Sequence, residues 1–458
     1  MTSGPIQSLA WRQHEEAVAR LRSSYAAIPA GAPVRLAKRT TNLFRARTAS
    51  TAPGLDVSGL VGVIEVDADG QTADVQGMCT YEDLVDATLP HGLMPYVVPQ
   101  LRTITLGGAV TGLGIEATSF RNGLPHESVV EMDVFTGAGD VVTTKPGDDL
   151  FETFPNSYGS LGYATRLKIK LEKVPSFVRL RHVRFDDAER LATAIAQITA
   201  DQHFDGTRVD GLDGVAFAPG EYYLTLATWT DTTGGDTPSD YAGQQVYYRS
   251  IQERTTDLLT IYDYIWRWDT DWFWCSGAFG AQNPTIRRFW PRRYRRSDVY
   301  MKLLGLDRRF SIADRLDRRA GRPLRERVVQ DIEVPVENLP AFLEWFDDEV
   351  GMRPVWLCPL VARQKWPSYP LEPGEIYVNV GFWGTVHVGP DATNGPKNRA
   401  IETRVHELGG HKSLYSEAFY DQDTFDDLYD GANLAAVKAK YDPDDRLTSL
   451  YDKAVKKR

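Results

Sequence analysis

Residues 104–116 decide the fold expected for this chain, and they read Ile-Thr-Leu-Gly-Gly-Ala-Val-Thr-Gly-Leu-Gly-Ile-Glu. Four glycines, Gly107, Gly108, Gly112 and Gly114, fall within eight residues among apolar neighbours. Glycine has no Cβ atom, so its backbone can approach a ligand closely and can adopt positive φ. Successive backbone N–H groups that point into one concavity bind anions such as a diphosphate. The run therefore predicts a glycine-rich, anion-binding loop.

The segments on either side of this loop predict mainly strands. Alternating apolar residues and turn signals place strands at 34–38, 62–67, 73–76, 129–135, 141–143 and 166–171. A helix is expected to begin at Thr80 and to end at Pro90. This order differs from the compact βαβ unit of a Rossmann fold, and no GxGxxG sequence opens a helix directly after a strand.

This order of elements resembles the FAD-binding domain of the vanillyl-alcohol oxidase / p-cresol methylhydroxylase (PCMH) superfamily. Within that superfamily, the stretch from Gly107 to Ser119 is most similar to the sterol delta-24 reductases. Motifs later in the chain extend the resemblance, namely Tyr-Asp-Tyr-Ile at 262–265, Val-Val-Gln-Asp at 328–331, Trp-Leu-Cys-Pro at 356–359, Tyr-Val-Asn-Val-Gly at 377–381 and Tyr-Asp-Gly at 429–431.

The resemblance implies an α+β fold, in which a PCMH-type FAD-binding domain of two α/β subdomains precedes an α+β substrate (cap) domain. The expected boundaries are an N-terminal helix at 1–29, the FAD-binding domain at 30–175, the substrate domain at 176–425, and a C-terminal helical segment at 426–458 that returns to the FAD domain.

The resemblance also implies which residues hold FAD. The expected cofactor-binding residues are Thr41, Asn42, Thr105, Leu106, Gly107, Gly108, Thr111, Gly112, Gly114, Ile115, Glu116, Ala117, Thr118, Gly162 and Tyr429. Members of the superfamily usually hold the diphosphate with a glycine-rich first loop, whereas residues 38–45 of this chain contain no glycine. We expect Thr41 and Asn42 to replace some of those main-chain donors. The same stretch contains no His or Cys, so we expect FAD to bind non-covalently.

Bulk properties exclude several function classes. The chain of 458 residues has 52 Lys and Arg against 62 Asp and Glu, and its net charge of −10 argues against general nucleic-acid binding. Its three cysteines are scattered and its histidines dispersed, so neither a disulfide framework nor a metal site is expected. Unlike animal and plant sterol reductases, the chain has no apparent N-terminal membrane anchor. We therefore expect a protein that is either cytoplasmic or peripheral at the inner face of the membrane.

One segment of the second domain combines aromatic and basic residues. Eight aromatic residues lie between 262 and 279, and residues 287–327 contain fifteen Lys and Arg against five Asp and Glu. One interpretation is that Trp266–Trp274 and Arg287–Arg327 dock on an anionic phospholipid surface. The alternative is that the aromatic residues form core or line a lipid pocket, while the arginines are solvated or pair with local acids.

The resemblance implies an FAD-dependent reductase of a carbon–carbon double bond that takes hydride from NADPH. An isolated alkene has no carbonyl group to polarise it, so the site needs a general acid and a dry apolar tunnel. The expected acid candidates are His411, Lys412 and Tyr415, in the sequence Gly-Gly-His-Lys-Ser-Leu-Tyr at 409–415.

Several substrates and one non-catalytic role stay open at this point. The leading hypothesis is reduction of a methylene-branched acyl chain of a phospholipid to the methyl-branched, tuberculostearic-type chain. The alternatives are reduction of a sterol side chain, and oxidation of a sugar or a polyprenyl-phosphate sugar. A flavin- or lipid-binding partner of a lipid methyltransferase is the non-enzymatic alternative.

Overall fold

Two antiparallel sheets organise the protein, one in each half of the chain. The structure is a computed structural model that describes residues 8–38, 53–310, 325–389, 392 and 394–456. The predicted cofactor contacts of Thr41 and Asn42 lie outside these residues.

The first sheet contains six strands, in the order β1-β2-β6-β4-β5 with β3 paired to β6. Its strands are β1 Val63–Asp67, β2 Thr72–Gln76, β3 Leu93–Pro95, β4 Val129–Phe135, β5 Val141–Thr144 and β6 Tyr163–Lys173. The helices of this half are α1 Leu9–Ala26, α2 Tyr81–Thr88, α3 Leu106–Gly112, α4 Ser119–Asn122 and α5 Asp149–Thr153.

Local sequence signals in this half are mostly confirmed. The predicted hairpin is β1–β2, and α2 begins after the cap Thr80, whose side chain accepts a hydrogen bond from the Asp83 N–H at 3.1 Å. The predicted strand at 34–38 is wrong. Leu36 forms only an isolated parallel bridge to Leu55, with no extended ladder among the described residues.

The second sheet contains eight strands, in the order β12-β7-β11-β10-β14-β15-β13-β16. Its strands are β7 Phe177–Phe185, β10 Gly211–Ala218, β11 Glu221–Thr230, β12 Thr256–Thr260, β13 Arg325–Pro335, β14 Val355–Leu360, β15 Tyr377–His387 and β16 His411–Lys412. A separate small hairpin pairs β8 His203–Phe204 with β9 Thr207–Arg208. The helices of this half are α6 Ala188–Asp201, α7 Tyr247–Glu253, α8 Ile261–Ile265, α9 Pro284–Phe289, α10 Ser297–Phe310, α11 Leu339–Glu349, α12 Pro396–Glu407, α13 Gln422–Leu428, α14 Gly431–Tyr441 and α15 Leu450–Ala454.

The two faces of the second sheet bury different kinds of residue. Because successive side chains of a strand point to opposite faces, β13 divides into two sets. Val328, Ile332 and Val334 share a hydrophobic core with helices α6, α11 and α12. Asp331 and Glu333 lie on the other face, where Asp331 lines a cavity together with residues of the first domain.

The C-terminal helices contact the first domain. The Tyr441 carbonyl accepts a hydrogen bond from the Ala138 N–H at 3.0 Å, and the Arg446 carbonyl accepts one from the Val34 N–H at 2.7 Å. In the part of the chain that the structure describes, no helix is both long and apolar enough to cross a membrane.

Candidate functional site

A cavity of about 1400 Å³ lies between the two sheets. Pockets for a single small ligand usually enclose about 300–1,000 Å³. This cavity therefore has room for more than one ligand. One end is lined by helix α3 and by charged residues that are mostly basic, and the other end is lined by aromatic residues and the half-buried acid Asp331.

The glycine run forms helix α3 rather than a loop. Thr105 caps the helix, because its side-chain oxygen accepts a hydrogen bond from the Gly108 N–H at 3.2 Å. The Leu106 N–H donates a hydrogen bond to the Cys79 carbonyl oxygen, and the Gly107 N–H donates one to the Gly77 carbonyl oxygen, each at 2.9 Å. The expectation of successive free N–H donors is therefore wrong.

The glycines of helix α3 instead let neighbouring groups pack closely against the helix and leave part of the cavity wall free of side chains. A Cβ atom on Gly107 would lie 2.6 Å from the Gly77 carbonyl oxygen, and one on Gly112 would lie 3.1 Å from the Tyr158 ring. Gly108 is exposed on the cavity wall, and a Cβ atom there would meet only the cap residue Thr105. A side chain larger than hydrogen at Gly108 would therefore extend into the cavity.

The structure brings about half of the predicted cofactor residues to the cavity. Those that line it are Thr105, Gly107, Gly108, Thr111, Gly112, Gly114 and Ile115. Those that do not line it are Leu106, Glu116, Ala117, Thr118, Gly162 and Tyr429.

The residues of the second group make contacts inside the protein. Glu116 accepts hydrogen bonds from Arg267 at 2.7 Å and from the Ala117 N–H at 2.9 Å. Thr118 donates to the Tyr96 carbonyl at 2.7 Å. Leu106 and Ala117 are buried in the core.

Gly162 and Tyr429 also have structural positions. Gly162 has a φ of +135°, and a Cβ atom there would lie 2.5 Å from the Phe135 carbonyl oxygen. The Tyr429 hydroxyl donates to the Lys412 carbonyl at 2.9 Å. Neither Gly162 nor Tyr429 is therefore a candidate FAD contact in this structure.

Sequence reasoning missed several basic residues at the end of the cavity formed by helix α3. Lys38, Arg446 and Lys453 all line the wall. The Lys38 ammonium has no carboxylate partner among the described residues. It donates to the Met78 sulfur at 3.4 Å, and burial lowers the pKa of Lys38. Lys38 is exposed at the cavity wall, and a cation in this position is suited to a phosphate group.

The residues of this end fit an FAD dinucleotide. A glycine wall admits a large ligand, and the cations Lys38, Arg446 and Lys453 are opposite in charge to a diphosphate; Asp445 and Asp452 also line the cavity. The C-terminal segment that carries Arg446 and Lys453 gave no recognisable motif, so only the fold places it here.

The aromatic end of the cavity is built on the second sheet. Trp356, Gly381 and Asp331 are direct neighbours across β14, β15 and β13, so they share one face. Gly381 leaves room between its neighbours, because a Cβ atom there would lie 2.5 Å from an Asp331 carboxylate oxygen.

Closely packed aromatic rings close this end. The Phe273 ring lies 4.3 Å from the Trp383 ring and 5.5 Å from the Trp356 ring. Trp272 and Phe273 have φ values of 46° and 59°, which are uncommon for bulky residues and often mark functional sites. This end therefore offers an apolar, rigid wall.

Asp331 is the acidic group of this wall. Its Oδ1 atom is enclosed and has no hydrogen-bond partner among the described residues. Burial raises the pKa of Asp331 to about 7, and the Asn379 side chain partly opposes this. Glu333, two positions along the same face, is also buried, and burial raises its pKa well above the usual value. Near pH 7 the Asp331 carboxyl group is therefore divided between its neutral and ionised forms, and burial favours the neutral form of Glu333.

Of the three predicted proton donors, only Tyr415 lines the cavity. Its hydroxyl accepts a hydrogen bond from the Trp383 indole N–H at 2.9 Å, and burial raises the pKa of Tyr415. The His411 ring packs between Tyr369 and Tyr429, and burial lowers the pKa of His411 to about 3. It is therefore neutral at pH 7.

The Lys412 ammonium is also placed away from the cavity. It is buried in an ion pair with Glu402 at 2.5 Å. His411 and Lys412 are thus corrected to structural residues, because neither of them reaches the cavity. Asp331 takes their place as a candidate acid, and sequence reasoning had not singled it out.

The aromatic residues at 266–274 are mostly buried in the core. The expected docking of Trp266–Trp274 on a phospholipid surface is therefore wrong for these buried tryptophans. Trp266, Trp268 and Trp272 are between 1% and 4% exposed. Trp268 and Trp356 both donate their indole N–H to an Asp213 oxygen, at 2.8 and 3.1 Å. Arg267 binds the same oxygen at 2.9 Å, and this buried network fixes the aromatic wall.

The cavity and a family match together define the class of protein. The family model described as the FAD binding domain matches residues 9–145. This chain is an FAD-binding oxidoreductase. Within the described residues, no group of His, Cys, Asp and Glu could hold a metal ion.

The chain resembles in particular the delta(24)-sterol reductases. It is 24% identical to the enzyme of Homo sapiens over 421 residues, which covers 87% of this chain and 77% of the relative. It is 25% identical to the enzyme of Arabidopsis thaliana over 455 residues, covering 88% of this chain and 77% of the relative. A shorter stretch of 141 residues is 34% identical to cytokinin dehydrogenase 2 of Oryza sativa subsp. japonica, covering 30% of this chain and 24% of the relative.

Proposed function

We propose that the protein uses FAD and NADPH to reduce a carbon–carbon double bond in a lipid. The observation that carries this proposal is the enclosed Asp331 carboxyl group in an aromatic wall, at the opposite end of one cavity from the basic residues. A dinucleotide suits the basic end, and an apolar chain suits the aromatic end. The names of the delta(24)-sterol reductases agree with this class of reaction.

Bound FAD would supply the hydride that originates from NADPH. The chain itself would supply the proton, which the Asp331 carboxyl group holds because burial raises its pKa to about 7. An acid with a pKa near the working pH is well matched to proton transfer. Addition of one proton and one hydride saturates the double bond, and NADPH is oxidised to NADP⁺.

The aromatic wall would assist by excluding water from the reacting carbons. A proton added to a branched alkene leaves a tertiary cation, which water would otherwise capture. The faces of Trp383, Phe273 and Trp356 surround the space beside Asp331. Aromatic faces carry negative charge density and stabilise nearby cations. Tyr415 would orient the acid or the substrate, since it lies on the same wall and its pKa is raised above the usual value.

We favour the methylene-branched acyl chain of a phospholipid as the substrate. Its exocyclic-type double bond and the sterol side-chain alkene both give a tertiary cation, so the chemistry fits either one. The exposed arginines near the aromatic end favour a substrate held in an anionic lipid layer. The sterol side chain is the second candidate, and the names of the relatives favour it. Oxidation of a sugar is less well supported, because its hydroxyl groups would face aromatic rings.

The test is an anaerobic titration of the purified yellow protein. We expect NADPH to bleach the flavin band near about 450 nm. Addition of a methylene-branched phospholipid should restore the colour and yield the methyl-branched chain by mass spectrometry. NADH and the saturated phospholipid are the controls.

The outcomes separate the candidate functions. Recovery of colour with a sterol but not with the phospholipid would reassign the substrate. Bleaching by a sugar substrate in place of NADPH would indicate an oxidase or dehydrogenase. If neither NADPH nor a sugar bleaches the flavin, the reductase proposal fails, and a binding partner of a methyltransferase becomes the better hypothesis.

A further inference from the structure

Residues 284–294 form an exposed surface in which apolar and basic side chains alternate; we call it the 284–294 surface. Phe289 is 80% exposed, Ile286 is 45% exposed and Tyr294 is 44% exposed. Five large hydrophobic side chains of the described chain are exposed in all, and three of them fall within these eleven positions. Clustered apolar exposure of this kind marks an interaction site.

The positive charge of this surface favours an anionic partner. No Asp or Glu occurs between Trp272 and Ser297. Arg288 and Arg293 are exposed, and neither has an ion-pair partner in the described parts of the chain; Arg293 lies over the Tyr294 ring at 4.8 Å. This positive surface stands out on a protein of net charge −10. We propose that the 284–294 surface docks the protein on an anionic phospholipid bilayer, with Phe289 and Ile286 inserted and the arginines at the headgroups.

The surface is held rigidly by the residues beneath it. Arg287 is 1% exposed and binds both oxygens of Asp271, at 2.7 and 3.0 Å. Arg295 is also buried and donates to the Trp290 carbonyl at 2.8 Å. The buried arginines therefore anchor the segment. Of the exposed arginines, Arg292 pairs with Asp240, whereas Arg288 and Arg293 have no ion-pair partner among the described residues.

The surface lies beside the aromatic end of the cavity. The half-buried Trp290 packs against Tyr300, with ring centroids 5.9 Å apart. The next residue, Met301, lines the cavity. A bilayer at this surface would lie next to the apolar end of the cavity. The proposal concerns attachment alone and does not depend on the reaction proposed above.

The test is sedimentation of the FAD-loaded protein with vesicles. We expect binding to vesicles of phosphatidylglycerol and phosphatidylcholine in equal parts, and little binding to pure phosphatidylcholine. Phe289→Ser should lower the partition coefficient about tenfold or more, since burial of a Phe side chain is strongly favourable. Arg288→Ala with Arg293→Ala should lower it about 25-fold, because each Lys or Arg near an anionic surface contributes about fivefold.

Matched controls use exposed residues outside this surface. Leu9→Ser and Val61→Ser remove other exposed apolar side chains, and Lys145→Ala with Lys170→Ala removes two exposed cations of the first domain. None of these should change vesicle binding. Retained yellow colour and an unchanged unfolding midpoint show that each variant is folded.

Three results would overturn the proposal. The first is equal binding of the wild-type protein to neutral and anionic vesicles. The second is equal loss of binding in the control variants. The third is a dimer in the absence of vesicles that Phe289→Ser converts to a monomer, which would assign the surface to a second copy of the chain.

Discussion

Replacement of Asp331 by Asn should stabilise the protein at alkaline pH and remove its proton donor. Burial raises the pKa of Asp331 from 3.8 to about 7, so the folded protein binds this proton more tightly than the unfolded chain. The wild-type protein therefore loses stability as the pH rises from about 4 to about 7, because folding then requires a buried carboxylate or a retained proton. Asn keeps the shape of the side chain and cannot ionise.

The size of the effect follows from the pKa difference. Three pH units at 1.36 kcal/mol each give an upper limit of about 4 kcal/mol at pH 8. Without substrate, the cavity that Asp331 lines is large enough to admit water, so screening should reduce this to about 2 kcal/mol. At pH 4 the folded wild-type protein holds a neutral carboxyl group, so the variant should gain little there.

Equilibrium unfolding in urea at pH 4.5 and pH 8 measures this difference. Asp69→Asn is the matched control, since Asp69 is exposed on the β1–β2 turn, and we expect no gain that depends on pH. An Asp331→Asn variant with the same relative stability at both pH values would refute the assignment of Asp331 as a buried acid.

The same variant separates the two halves of the proposed reaction. A positioned general acid contributes about 10²- to 10⁴-fold, so alkene reduction should slow by about 100-fold or more. Flavin reduction by NADPH should stay within about twofold, because no proton from Asp331 is needed there. In the wild-type protein, alkene reduction should fall about tenfold per pH unit above about pH 7, where Asp331 loses its proton. Equal slowing of both half-reactions would argue against the role of an acid.

Three further variants test the cofactor end and the buried network. Gly108→Trp should abolish retention of FAD after gel filtration, because the new side chain would fill the cavity, whereas Gly389→Trp at an exposed glycine with open space should stay yellow. Lys38→Met should raise the Kd for FAD about tenfold in a fluorescence titration, since a charged hydrogen bond to phosphate would be lost; an unchanged Kd would place the phosphates elsewhere. Arg267→Met should lower the free energy of unfolding by about 3–5 kcal/mol in urea, because it leaves two buried carboxylates without their partner; a loss below about 1 kcal/mol would show that those carboxylates are neutral.

Local sequence patterns predicted the elements whose partners are close in the chain. The β1–β2 hairpin and the Thr80 cap depend on residues within about ten positions, and both are confirmed. The strand at 34–38 was wrong because its alternation is not matched by a partner strand, only by the single bridge to Leu55. Helix α3 was mistaken for a loop, although Thr105 before a seven-residue run is itself a helix-start signal.

Long-range contacts decided the roles that sequence could not assign. Glu116 lies in a motif of the resembling family, yet its partner Arg267 is 151 positions away and holds it in the core. The alternation of residues along β13 predicts that Asp331 and Glu333 share a face. The same alternation is typical of a strand with one face in water, so it does not predict that this face is covered. Only the packing of the first domain over that face reveals that these acids are buried.

The second sheet thus combines a stabilising face with a destabilising one. Val328, Ile332 and Val334 are fully buried under helices, and their burial contributes roughly 1.5–3 kcal/mol each. On the reverse face, Asp331 and Glu333 keep raised pKa values and unsatisfied oxygen atoms, which lowers stability near neutral pH. A sequence selected for stability alone would replace these acids, as the Asp331→Asn prediction states. Their presence at a cavity wall, on a strand anchored so firmly from behind, is therefore best explained by a reaction that needs a proton in a dry place.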